Sequence, residues 1–156
     1  MLFLPGCMQK DLIDIYVFAD RFSHHSENFK IDTSKFMAQE EQNELSFPIV
    51  FNDKFLLTVR INKETSLVTS VSVVYSFENG HKISDKDFDS FKEIAVCSIK
   101  AFTNFQDTDE IMANLSADKK GSMTKNLHNH FEKGFYQFSL VANEVGIYFS
   151  AKTERR

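Results

Sequence analysis

The chain has 156 residues and a net charge of −4, with 42% hydrophobic and 26% charged positions, the size of one ordinary domain that buries a core without metals or disulfides. Its 17 Phe and 4 Tyr with no Trp exclude a disordered chain and point to a core built on Phe. Both charge signs are interspersed, and the only basic pairs are Lys119-Lys120 and Arg155-Arg156, so there is no basic stripe to neutralise phosphates and no nucleic-acid partner is expected.

At the amino terminus, Leu4-Pro5-Gly6-Cys7 follows the apolar Met1-Leu2-Phe3. Secretory signals close with an apolar stretch and small residues ahead of the cleavage point. These four residues resemble the lipobox of bacterial lipoproteins, in which Leu, two smaller residues and a Cys are read by a dedicated peptidase. The resemblance implies that residues 1–7 are the remnant of a lipoprotein signal. It also implies that Cys7 is diacylated on sulfur and becomes the first mature residue. The protein is then anchored in the bacterial cell envelope, facing the periplasm or the exterior. Two acyl chains anchor stably where one would be marginal. No run approaches the roughly 20 apolar residues that span a bilayer, so the membrane is reached through the lipid on Cys7. Residues 8–156 read as a single domain.

Over 11–22, Leu12, Ile15, Tyr16, Ala19 and Phe22 recur at helical spacing and predict a short amphipathic helix. Val17 and Phe18 blur the period, with a strand as the alternative. Residues 23–44 are mostly polar and read as a loop or tether, with one or two helical turns around 35–42. Ser46 to Phe51 suggests a strand that Pro48 confines to an edge. Phe55, Leu57, Val59 and Ile61 then alternate with Leu56, Thr58, Arg60 and Asn62, the period of a half-buried strand. After the turn residues Asn62-Lys63-Glu64-Thr65, the apolar set Leu67, Val71, Val73, Tyr75 and Phe77 alternates with Val68, Ser70, Ser72, Val74 and Ser76, with Thr69 interrupting it. The two runs read as an antiparallel hairpin.

Ser84 followed by Asp87 fits a helix start. Phe88, Phe91, Ile94, Ala95, Ser98, Ala101, Phe102 and Phe105 keep helical spacing beyond it. A second helix is expected over 108–117, with Asp109 and Glu110 at the positive end of its dipole, and a loop over 118–122. Residues 123–133 are ambiguous between strand and helix. Tyr136, Phe138 and Leu140, then Ile147, Phe149 and Ala151, alternate with polar neighbours across turn residues 142–146 and give a second hairpin. The order argues for an α+β fold, an antiparallel sheet built from two hairpins with helices packed on one face.

The chain carries no nucleophile elbow, zinc-protease, CxxC or Gly-rich phosphate motif, and no catalytic residue or cofactor is assigned. Asp85, Asp87 and Asp89 begin like a calcium loop, but Ser90 and Val96 stand where Gly and Glu are required; the dipole of a helix start explains the carboxylates. His128 and His130 would face one way on a strand and share a metal. A third ligand from His24-His25 or His81 is not fixed by spacing. Cys97 sits in the apolar stripe of the long helix and reads as a buried hydrophobe, not a nucleophile or half of a disulfide with Cys7. The aromatic residues Phe131, Phe135, Tyr136, Phe138, Tyr148 and Phe149 line either a ligand groove or, as most Phe do, the core.

The reading is a small, exported, lipid-anchored domain that acts without catalysis by binding another protein or an envelope component. One alternative is a soluble cytosolic inhibitor or immunity-type protein steered to a basic partner by its negative charge. A second is a small-ligand carrier or enzyme whose site forms only in space.

Overall fold

A computed structural model of the protein describes residues 12–78, 82–124 and 126–154. The segment containing Cys7, and His81, lie outside the described residues.

Asp14 accepts the Val17 N–H on its carboxylate at 2.9 Å, satisfying a donor that the first helical turn leaves without a partner. It starts α1 (Ile15–His25), which buries Ile15, Phe18, Ala19 and Phe22. That is the i, i+3, i+4, i+7 stripe of a core-facing helix. Phe18 therefore takes the place expected for Tyr16, which is 61% exposed. The polar residues that follow are laid onto the body. Glu93 accepts hydrogen bonds from the Ser26 hydroxyl and from the backbone and side-chain nitrogens of Asn28. Ile31 is buried, and Phe29 and Phe36 pack against the core. The helical turns expected around 35–42 are replaced by a single 3-10 turn at Thr33–Lys35, capped by Asp32, and by the two-residue strand β1 (Gln39–Glu40).

Seven strands form one sheet. They are β1, β2 (Glu44–Val50), β3 (Phe55–Asn62), β4 (Val68–Ser76), β5 (Leu127–Lys133), β6 (Tyr136–Ala142) and β7 (Gly146–Thr153). Their order is β1-β2-β3-β4-β7-β6-β5, and every neighbouring pair is antiparallel. The protein is thus α+β with an antiparallel sheet, and the sheet is larger than two hairpins. Pro48 lies in β2, whose outer side meets β1 only at Leu45 and Ser46, so no ladder partner goes unmet beside the proline. The ambiguous stretch 123–133 resolves into the end of a 3-10 turn (Lys120–Thr124) and the strand β5.

The register aligns the apolar positions into rows. Leu57, Val73, Phe149 and Leu140 are successive cross-strand neighbours, as are Val59, Val71, Ala151 and Phe138; all eight are buried. Burying each of the larger side chains stabilises the fold by roughly 1.5–3 kcal/mol. Between Arg60 and Ile61 the β4 partner jumps from Ser70 to Val68. Thr69 is the extra residue of a bulge, so the parity of β4 reverses there, and Val68 replaces Leu67 in the core.

The long helix α2 (Asp85–Thr103) begins where Ser84 Oγ accepts the Asp87 N–H at 3.1 Å and ends at Asn104 in the left-handed region, φ 61°. It packs on α1 and on β4. Its buried hydroxyls, Ser98 and Thr103, donate back to the carbonyls of Ile94 and Ile99 at 2.7 Å, so neither is stranded in the apolar interior. The next helix, α3 (Asp109–Asn114), is shorter than expected, because Ser116 turns to φ 58° and cannot continue it.

Candidate functional site

Stepping one residue along each strand moves from the buried face to the other one. The register orders that second face into three rows. Val50, Leu56, Val74, Tyr148 and Val141 are successive neighbours, ending at His128. Beside them run Pro48, Thr58, Ser72, Ser150, Ser139 and His130, with the Ser139 and Ser150 hydroxyls hydrogen-bonded at 2.7 Å. The third row is Ser46, Arg60, Ser70, Lys152, Gln137 and Glu132. An apolar row, a hydroxyl row and a charged row therefore lie side by side. The apolar row is partly open to solvent: Val50 is 71% and Tyr148 38% exposed, while Leu56, Val74 and Val141 are half-buried.

Against the charged row lies a concavity of about 950 Å³, whose lining includes Glu44, Lys63, Thr69, Ser70, Gln137 and Lys152. The β4 bulge shapes it, since the displaced Thr69 donates its hydroxyl to Glu44 at 2.7 Å. Charges of both signs meet there, with Arg60 paired to Glu41 at 3.4 Å and Lys63 to Glu40 at 2.8 Å.

A second polar cluster stands where α2 begins. Tyr75 Oη donates to Asp87 Oδ2 at 2.9 Å, and Lys54 Nζ reaches the same oxygen at 3.2 Å. Burial pushes the Asp87 carboxyl up, but the hydrogen bonds from Tyr75 and Lys54 and the Lys54 charge outweigh it and hold the group below the usual carboxylate range. Burial, then the bond to Asp87, pushes the Tyr75 phenol up, and the bond to Asp87 raises Lys54. All three groups are fixed in their ordinary charge states by one another. This tie fastens the end of the β3–β4 hairpin to α2 and has the character of a structural ion pair.

The sequence candidates do not converge. Asp85 turns away to Lys120 at 2.6 Å while Asp87 points to Lys54. His128 and His130 do share the outward face of β5, where His130 lies 3.3 Å from Glu132; His24 and His25 are on α1. Among the described residues no three His, Cys, Asp or Glu side chains come together as a metal would need, and no helix is long and apolar enough to cross a membrane. Burial pushes the Cys97 thiol up to about 11, leaving no thiolate at neutral pH. The aromatic set is split by the sheet: Tyr136, Phe138 and Phe149 are core, whereas Tyr148 stands on the opposite face.

The three rows escaped the sequence because alternation identifies the outward residues of one strand, and only register says which of them are neighbours. The signal that was present is Val74, an apolar residue among the serines of the polar side of β4. Comparison with protein-family models, curated proteins and solved structures returns no match.

Proposed function

We propose that the chain is a non-enzymatic binding domain that holds a protein partner on the open face of its sheet, with the helices covering the opposite face, and that a lipid on Cys7 carries it on the bacterial envelope. The observation that carries the binding reading is the partly exposed apolar row from Val50 to Val141, bordered by hydroxyls and then charges. Protein interfaces have this anatomy, an apolar centre with tyrosine and a polar border. The internally paired state of Tyr75, Asp87 and Lys54 supports binding over catalysis, since none is left poised to move a proton. The anchor is supported by Leu4-Pro5-Gly6-Cys7.

The binding face is tested with a photo-reactive phenylalanine analogue placed at Tyr148, or at Asp20 on α1 as a control, in living cells. A discrete covalent adduct is expected from position 148 and none from position 20. Adducts from position 20 alone would end the reading. The anchor is tested separately by labelling with radioactive palmitate from the full-length gene, where label is expected in the native chain and lost in Cys7→Ser. An unlabelled native chain removes the anchor.

A further inference from the structure

Of the large hydrophobic residues exposed among the described residues, three lie at the start of α1 and a fourth, Met37, adjoins the Phe36 ring that packs on Tyr16. Leu12 is 54%, Tyr16 61%, Val17 39% and Met37 76% exposed. Leu12 and Val17 bracket Tyr16 at the start of α1. The Tyr16 ring lies 6.0 Å from that of Phe36, which is backed in turn by Phe47 at 5.5 Å, and Met37 follows Phe36 directly. Tyr16 is thus backed by two more aromatic rings, with Leu12 and Val17 beside it in the chain and Met37 exposed next to the ring that supports it. The exposed charges that flank these residues along the chain are Asp14, Asp20 and Lys35, more acidic than basic.

Only residues 8–11 separate Cys7 from Leu12. A chain that short extends at most about 18 Å between those two Cα atoms, so acyl chains on Cys7 bring Leu12 and its neighbours close to the lipid headgroups whatever path the link takes. A phenol ring with aliphatic neighbours suits that boundary, where one end of the side chain is apolar and the other wet. We infer that Leu12, Tyr16, Val17 and Met37 form a membrane-docking face that rests in the headgroup layer of the bilayer holding Cys7, an inference that rests on the lipid-anchor reading above. The flanking acidic charges give no attraction to anionic lipid, so docking is apolar and the lipid surface it fits is zwitterionic. Held in this way, the domain keeps its open sheet face clear of the membrane for a partner.

The test uses the full chain coupled through Cys7 to phosphatidylcholine vesicles carrying a maleimide lipid. Cys97, at 4% exposed, does not compete for the reagent. The protein contains no Trp, so Tyr16→Trp, Met37→Trp, Tyr148→Trp and Val145→Trp each give a single reporter, with circular dichroism confirming that every variant folds. With bromine-substituted lipid in the vesicles, the reporters at positions 16 and 37 are expected to lose about half of their emission, and those at 145 and 148 to lose little. Raising the salt to about 0.5 M should leave this unchanged. Equal quenching at all four positions, quenching at 145 and 148 alone, or none at 16 and 37 overturns the inference. So does blue-shifted emission from the uncoupled Tyr16→Trp variant if it sediments as a dimer, since a second copy then covers the patch. The maleimide supplies the tether whether or not a cell acylates Cys7, so this result and the palmitate result fail independently.

Discussion

Tyr75 and Lys54 place two hydrogen bonds on a single oxygen of Asp87, and the consequence is measurable as a pH dependence. A carboxylate whose folded pKa is held below its unfolded value stabilises the fold at every pH above the unfolded pKa, about 3.9, and loses that contribution as pH falls through the folded pKa. Asp87→Asn should therefore be less stable than the native protein at neutral pH. In urea titrations the two proteins should converge as the pH drops through the acid range. Tyr75→Phe removes one charge-assisted bond within a largely buried pair and should cost about 1.5–3 kcal/mol at neutral pH. A constant gap between native protein and Asp87→Asn down to the acid limit would show that the tie contributes nothing. None of this was legible in the sequence, where Asp87 reads as a helix-start residue. Its partners come from Tyr75 and Lys54, and only the hairpin's approach to α2 brings the three together.

Among the elements, α2 was the most legible, because a long apolar repeat leaves few conformations that bury it. Phe91 lies fully buried on its core face. Phe91→Ala should cost about 3–5 kcal/mol in chemical denaturation, through lost transfer energy and the cavity left behind. A loss below about 1 kcal/mol would mean that the interior relaxes to fill the space. The shorter elements were harder to read for identifiable reasons. β5 has no fully buried residue, so the apolar alternation that reveals a strand is absent from it. In β4 one inserted residue, Thr69, reverses which side chains face inward, and an insertion of one looks in sequence like a single misplaced threonine. At the start of α1 two apolar residues, Leu12 and Tyr16, fit the helical period yet face solvent; periodicity alone cannot tell a core stripe from an exposed one beside it.

At the scale of the molecule, the two faces of the sheet have opposite roles in stability. The buried rows hold the fold together, while the open rows contribute little to it. Val50→Ser should shift the unfolding free energy by no more than about 0.5 kcal/mol, as surface changes do, and Tyr148→Ser, which also gives up its cross-strand pairs, by about 1 kcal/mol. The same pair should abolish adduct formation from a photo-reactive group placed at the neighbouring Val74. If the double variant unfolds, or adducts at Val74 persist unchanged, the row is structural and not an interface. This face was only half legible: the sequence marked the strands and their polar sides, but the apolar row crosses five strands drawn from residues 50 to 148. No window along the chain contains it.

The seam between β4 and β7 carries a last consequence. A side chain at Gly146 would begin 2.3 Å from the carbonyl oxygen of Tyr75, so the two halves of the sheet meet there without room for even a methyl group. β7 (Gly146–Thr153) follows β4 only after α2, α3, β5 and β6 have been made. While the polypeptide is still emerging from the ribosome, β4 offers a bare, hydrogen-bond-hungry margin that nothing yet synthesised can cover. The β4 edge must wait for β7, and until then the nascent sheet is exposed to pairing with the wrong neighbour.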